Sequence, residues 1–336
     1  MVSKSKMVAA TSAIAAASLL AACSSTPAAP STTAAASTSA PAIGKIVYIP
    51  GLTGNPFYNT VACGASAEAA KSGVPFSYQG TPNWDTAAQI SLINAVVATK
   101  PGAIMISITD PVALDGPLTA AKAAGIKIIA IDGDLVDKSV MSTNIQADGF
   151  TAAQLAGEAL AKAVGYKGDV LAVDNQTGSI VAKARTDGFA SVIAKYPNMK
   201  FLGIEYSAND VSKAASIVST SATNDPNLVG VFGAETNNTA GALTGVRESN
   251  KVGKVHVVGF DTSDPIVAAL KAGTLDGTVV QFPRGEGVLG VQAAISVMNG
   301  NSVPRNQVAP AIFVTPATVN TSAAQQYIYD VNCKMS

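Results

Sequence analysis

The sequence predicts an α/β protein built from two doubly wound parallel-sheet lobes. Three observations carry that reading: short, continuously apolar runs rich in β-branched residues; Ala-rich stretches between them whose apolar positions recur at helical spacing; and a second round of the same alternation after residue 150. Strands that are apolar on both faces need cover on both faces, which a parallel sheet flanked by helices supplies. In the first half the strands are KIVYIP (45–50), FSYQG (76–80), AIMISI (103–108), KIIAID (127–132) and SVMSTNI (139–145). Helices are expected between them over 59–73, 86–100 and 117–125, each ending near Gly or Lys. The second half alternates helix 152–165, strand 169–174, helix 179–196, strand 200–206, helix 211–223, strand 228–233 and helix 238–249. Strand 255–261, helix 265–273, strand 276–283 and helix 287–300 follow.

The chain has 336 residues, enough for about two domains of ordinary size. Its formal net charge is zero and no dense Lys/Arg run occurs, which argues against a nucleic-acid partner. His256 is the only histidine, so a histidine triad or a multi-histidine metal site is not expected, and no cofactor is implied. Residues 1–22 read as a signal peptide: Lys4 and Lys6 precede an apolar run that falls short of the ~20 residues of a membrane span. The tetrapeptide LAAC (20–23) resembles a bacterial lipobox, which makes Cys23 the expected lipidated residue; an ordinary cleaved signal followed by an incidental cysteine is the alternative. Residues 24–42 are dense in Ser, Thr, Pro and Ala and are expected to be a disordered tether. The mature domain is then extracytoplasmic and held at the membrane. There a disulfide between Cys63 and Cys333 is expected, against two unrelated buried thiols.

In open α/β sheets ligands bind beyond the carboxyl ends of the strands. The residues standing there are Asn55, Phe57 and Tyr58 after the first strand, Ser107 after the third, and Asp132 and Asp134 after the fourth. The second half supplies Arg185 within a helix, then Asn209, Glu235, Asp261 and Gln281 after successive strands. Asn175 and Gln176 also close a strand. Carboxylates accept from hydroxyls, Arg and amides make bidentate pairs, and flat rings cover the C–H faces of a sugar. The set suits a small neutral carbohydrate or polyol and contains no evident nucleophile–base pair.

In order along the chain, NPFY, RTDGF, VVGFD and TVVQFP resemble the type I periplasmic binding proteins, particularly the ribose and galactose binders of ABC importers. The opening IPxxxG and the DxD at 132–134 also resemble the rhamnose and autoinducer branch. The likeness covers residues 44 to about 316. It implies sugar contacts by Asn55, Phe57, Tyr58, Asp132, Arg185, Asp261 and Gln281. It also implies three crossings between the lobes, hence a three-stranded hinge, with lobes of 43–147 plus 283–311 and 148–282 plus 312–336. Further implications are a monomer that is not an enzyme and a membrane permease as its partner. The sequence departs from the family at Gly133, where an Arg is usual. It departs again at Ser107 and Glu235, each in place of an Asn, and at Asn209, in place of a second aromatic wall.

Three rival functions share parts of this pattern. A sugar-responsive transcription regulator needs an N-terminal DNA-binding segment where this chain has its signal and tether. An extracytoplasmic carbohydrate-active enzyme needs an assigned acid–base pair. A sensor presenting its ligand to a membrane receptor differs only in its partner. Individual residues also have plainer readings: Asp132, Glu235 and Asp261 as helix N-caps, Arg185 as a surface ion pair, Phe57 and Tyr58 as core, His256 as a strand residue, and Trp84 as a hydrophobic staple or rim residue. GEGVLG (285–290) matches a dinucleotide-binding turn, but no acidic residue follows about 20 positions on.

Overall fold

A computed structural model describes residues 44–329. The first half runs β1 (Ile46–Ile49), α1 (Pro56–Lys71), β2 (Phe76–Tyr78), α2 (Thr86–Ala98), β3 (Ala103–Ile106), α3 (Asp115–Ala123), β4 (Lys127–Ile131) and β5 (Thr143–Ala147). Then come α4 (Gly149–Ala163), β6 (Gly168–Asp174), α5 (Ile180–Ile193), β7 (Met199–Tyr206), α6 (Val211–Asn224), β8 (Leu228–Gly233), α7 (Thr236–Glu248), β9 (His256–Phe260), α8 (Asp264–Ala272) and β10 (Gly277–Gln281). The chain closes with α9 (Pro283–Met298), β11 (Asn306–Ala309), β12 (Ala311–Val314) and α10 (Ser322–Gln325).

Two six-stranded sheets form, ordered β11-β5-β4-β3-β1-β2 and β12-β10-β9-β8-β6-β7. All pairings are parallel except β10 with β12. The continuous apolar runs are the reason: β1 and β3 are buried at every residue, so both faces need helices. The chain passes from the first sheet to the second after β5, returns after β10, and leaves again between β11 and β12 at Pro310. Ala311 already pairs with Gln281 in the second sheet.

Several expected boundaries move, two of them for a plain local reason. The fifth strand occupies 143–147 rather than 139–145, because Thr143 is the first residue in register with β4 at Ile129. Helix α1 starts at Pro56, three residues earlier than expected, because Pro is favoured in a first turn and the Asn55 side chain accepts from the Phe57 N–H at 2.9 Å. Phe57 and Tyr58 therefore lie inside the first helical turn and are buried rather than exposed on a loop. Strands β11 and β12 and helix α10 had no sequence signal of their own.

The GEGVLG stretch is interior to α9 and forms no turn. Its Gly287 serves packing: a Cβ there would lie 2.1 Å from the Val61 carbonyl, and one at Gly64 would lie 2.0 Å from the Arg284 carbonyl. Helices α1 and α9 thus meet backbone to backbone. Cys63, on α1, is disulfide-bonded. Cys333, the expected partner, Cys23 and the signal and tether segments lie outside the described residues. Among the described residues no helix is long and apolar enough to cross a membrane.

Candidate functional site

The carboxyl ends of the two sheets face a common cavity of ≈ 580 Å³, counting the solvent at its mouth. Its walls include Asn55, Phe57, Tyr58, Asp132, Asp134, Arg185, Asn209, Glu235 and Asp261, which the sequence had singled out. Ser107 and Gln281 stand behind the wall instead. Ser107 is fully buried and hydrogen-bonds the Tyr48 hydroxyl at 3.1 Å. Gln281 donates from Nε2 to Asp261 Oδ1 at 2.9 Å.

Asp132 and Asp261 occupy equivalent places, directly after β4 and β9, each the third strand in spatial order across its sheet. Both have left-handed backbone, φ +44° and +72°, which Asp tolerates better than most residues. That turn holds each carboxylate at the sheet edge, where its N–H still bonds a neighbouring strand. Arg185 spans the cleft from α5. Its Nη2 donates to Asp132 Oδ1 at 2.9 Å and Oδ2 at 3.0 Å, and its Nη1 donates to the Ala234 carbonyl at 3.2 Å. Nη1 also lies 3.9 Å from Asp261 Oδ2, and the guanidinium sits 4.1 Å above the Phe260 ring. A second link crosses the cleft where Gln176 Nε2 donates to the Thr109 carbonyl.

The charge balance is acidic. Burial raises the Asp132 pKa, Arg185 opposes that rise and Asp261 adds to it. For Arg185, burial works against the charge but Asp132 and Asp261 outweigh it, so the guanidinium pKa is raised. Burial pushes Asp174 up to about 6. Glu235 is pushed up to about 8, burial again leading, although the Asn237 and Asn238 N–H groups of the α7 N-terminus favour its anion. The N-cap reading of Glu235 is thus realised, and the residue also faces the cavity. With its amide nitrogen turned toward Glu235, Asn209 reaches that carboxylate at 3.0 and 3.1 Å. Asp134 is anchored by Lys138 at 2.8 Å.

Sequence reasoning missed several contributors. Trp84 lines the cavity and stacks on Tyr58 at 6.5 Å between centroids, extending the aromatic wall beyond Phe57. Asp174 forms part of the second wall, beside the Asn175 that the sequence had placed at a strand end. Glu286, on the first turn of α9, is fully buried with no hydrogen-bond partner on either oxygen among the described residues. Burial raises its pKa well above the usual carboxylate value, Asp132 and Asp261 raise it further, and Arg185 opposes them. An acid with a raised folded-state pKa stabilises the fold fully below the unfolded value of ~4.3, and that contribution is lost as pH rises toward the folded value. For Asp174 and Glu286 the sequence offered no signal, and for Trp84 only its aromatic character.

A hinged pair of α/β lobes with aromatics, carboxylates and one arginine converging between them defines a cleft-binding protein for small polar molecules. Residues 46–302 match the periplasmic binding protein domain, and the chain belongs to that family. It is 27% identical over 249 residues to the ribose import binding protein RbsB of Salmonella typhimurium, covering 74% of this chain and 83% of the relative. The D-ribose/D-allose-binding protein of Pseudomonas aeruginosa is 26% identical over 270 residues, covering 78% and 84%. Among solved structures, an ABC transporter solute-binding protein of Agrobacterium vitis bound with α-D-tagatopyranose is 33% identical with a TM-score of 0.83, covering 85% of this chain and 99% of that one. A carbohydrate transporter solute-binding protein of Agrobacterium radiobacter, in complex with D-arabinose, is 29% identical with a TM-score of 0.81, covering 86% and 100%.

Proposed function

We propose that the protein binds one small neutral carbohydrate, a monosaccharide or sugar alcohol, between its lobes and delivers it unaltered to the permease of an ABC importer. One observation carries the reading: the rings of Phe57, Tyr58 and Trp84 meet Asp132, Arg185 and Asp261 in a single cavity. Rings cover a sugar's C–H face while charged groups take its hydroxyls, and each such hydrogen bond strengthens as water leaves. Sugars bound by the related proteins support the class. The lobes, residues 43–147 with 283–311 and 148–282 with 312–336, close by bending at the three crossings, and ligand favours closure by its greater affinity for the closed form. The closed monomer is the form we take to dock on the permease.

Thermal-shift measurement against D-ribose, D-tagatose, D-fucose, D-arabinose, D-allose and xylitol tests this. A matching compound at a hundred times its Kd adds about 2.7 kcal/mol to the folded state, and Tm should rise by about 5 °C or more. If none of these shifts the protein while an amino acid does, the carbohydrate assignment is wrong. We also propose that Cys23 carries a lipid that holds the protein at the outer face of the membrane. Radiolabelled palmitate should enter the wild type and not a Cys23→Ala variant; equal labelling refutes the anchor.

A further inference from the structure

We propose that Tyr329 is a positioning residue of the cleft, holding the Asp261 carboxylate in its ligand-facing rotamer from a C-terminal strap laid across both lobes. The proposal rests on the carbohydrate reading above. Tyr329 lies beyond residue 302, where the family match ends, and does not line the cavity itself. The strap is fixed at several points. Tyr327 packs on Phe282, at the return crossing, with ring centroids 5.2 Å apart. Two residues on, the Tyr329 N–H donates to Thr262 Oγ1 at 3.2 Å, and its ring meets Phe57 edge-on at 5.9 Å. The ring therefore touches the aromatic wall of the first lobe while its polar atoms engage the end of β9 in the second. Its hydroxyl donates to Asp261 Oδ1.

The consequence lies in how the two carboxylate oxygens are divided. Oδ1 takes both Gln281 Nε2 and the Tyr329 hydroxyl, so it is spent on the protein. Oδ2 is met only loosely, by Thr236 Oγ1 at 3.4 Å and Arg185 Nη1 at 3.9 Å. Oδ2 is thus the oxygen with capacity left for a ligand hydroxyl. Without the phenol, Gln281 alone holds Oδ1, and the adjacent guanidinium draws the carboxylate into a closer ion pair. Burial and the Asp261 charge both raise the Tyr329 pKa, so the phenol remains a donor at neutral pH.

Tyr329→Phe removes the hydroxyl and keeps the ring. By calorimetry with whichever of D-ribose, D-tagatose, D-fucose, D-arabinose or D-allose binds the wild type most tightly, affinity should fall about tenfold or more, the range for a hydrogen bond to a charged group. Urea unfolding of wild type, Tyr329→Phe, Asp261→Asn and the double variant supplies a ligand-free readout. The effect of Tyr329→Phe should shrink in the Asp261→Asn background, because the charged partner is gone. Wild-type affinity in Tyr329→Phe, or an equal unfolding effect in both backgrounds, overturns the proposal. If neither these five sugars nor xylitol binds the wild-type protein, the carbohydrate reading fails, whereas the unfolding comparison still decides whether Tyr329 holds Asp261.

Discussion

Asp261→Ala should abolish sugar binding in a protein that still folds. The residue is 3% exposed and is the point where Gln281, Thr236, Arg185 and Tyr329 converge. Alanine removes the acceptor that a ligand hydroxyl would use and leaves the Gln281 amide and the Tyr329 hydroxyl without their partner, each a loss of about 1–3 kcal/mol. It also places a residue less tolerant than Asp at φ +72°, a further strain of about 1 kcal/mol. Asp261→Asn is the sharper comparison, because Asn accepts left-handed backbone and preserves shape while losing charge. Calorimetry on both variants, with circular dichroism to verify folding, separates the effects: loss in both identifies the charge as the determinant. Unchanged affinity in Asp261→Ala would remove the residue from the site.

Arg185→Met should both destabilise the protein and eliminate binding. Breaking a buried ion pair from one side costs about 3–5 kcal/mol, since the remaining charge stays buried without compensation. Here the stranded group is Asp132, whose pKa burial already raises and which only Arg185 holds down. With the guanidinium gone, that pKa rises further above the unfolded value of ~3.9. The sign follows directly: the variant's deficit is full at neutral pH, shrinks as pH falls through the raised folded value, and vanishes only below the unfolded value, where Asp132 is protonated in both states. Urea midpoints at pH 5 and pH 8 measure it. Adding Asp132→Asn should restore most of the stability and none of the binding. A deficit independent of pH would mean that lost packing over Phe260, not the stranded carboxylate, dominates.

The fold was legible because its determinants are local. Strands such as Ala103–Ile106 are apolar at every position, and the alternation with Ala-rich helices repeats around both sheets. Much of the cleft was legible for the same reason: Asp132 and Asp261 follow strands directly, and that place is where sheets collect ligands. What escaped depends on partners far away in the chain. Trp84 reads as a rim residue until Tyr58 is seen beside it. Tyr329 sits in a tail with no periodicity, and its worth comes from Asp261, 68 positions earlier. Glu286, flanked by glycines, carries no local sign that α9 turns it into the interior. Ser107 and Gln281 were found at the right strand ends, but end position alone does not say whether a side chain meets the cavity or braces a neighbour that does.

The backbone contact between α1 and α9 has a mechanical meaning. Helix α9 begins one residue after the chain leaves the second sheet at Phe282, and α1 carries Phe57 and Tyr58 on its first turn. Because Gly64 and Gly287 leave no room for an intervening side chain, the two helices pack as a single beam. If the lobes bend at the crossings as proposed, a rotation started at the pivot would carry the aromatic rings with it, and a methyl group at either glycine would wedge the beam apart and let the rings lag.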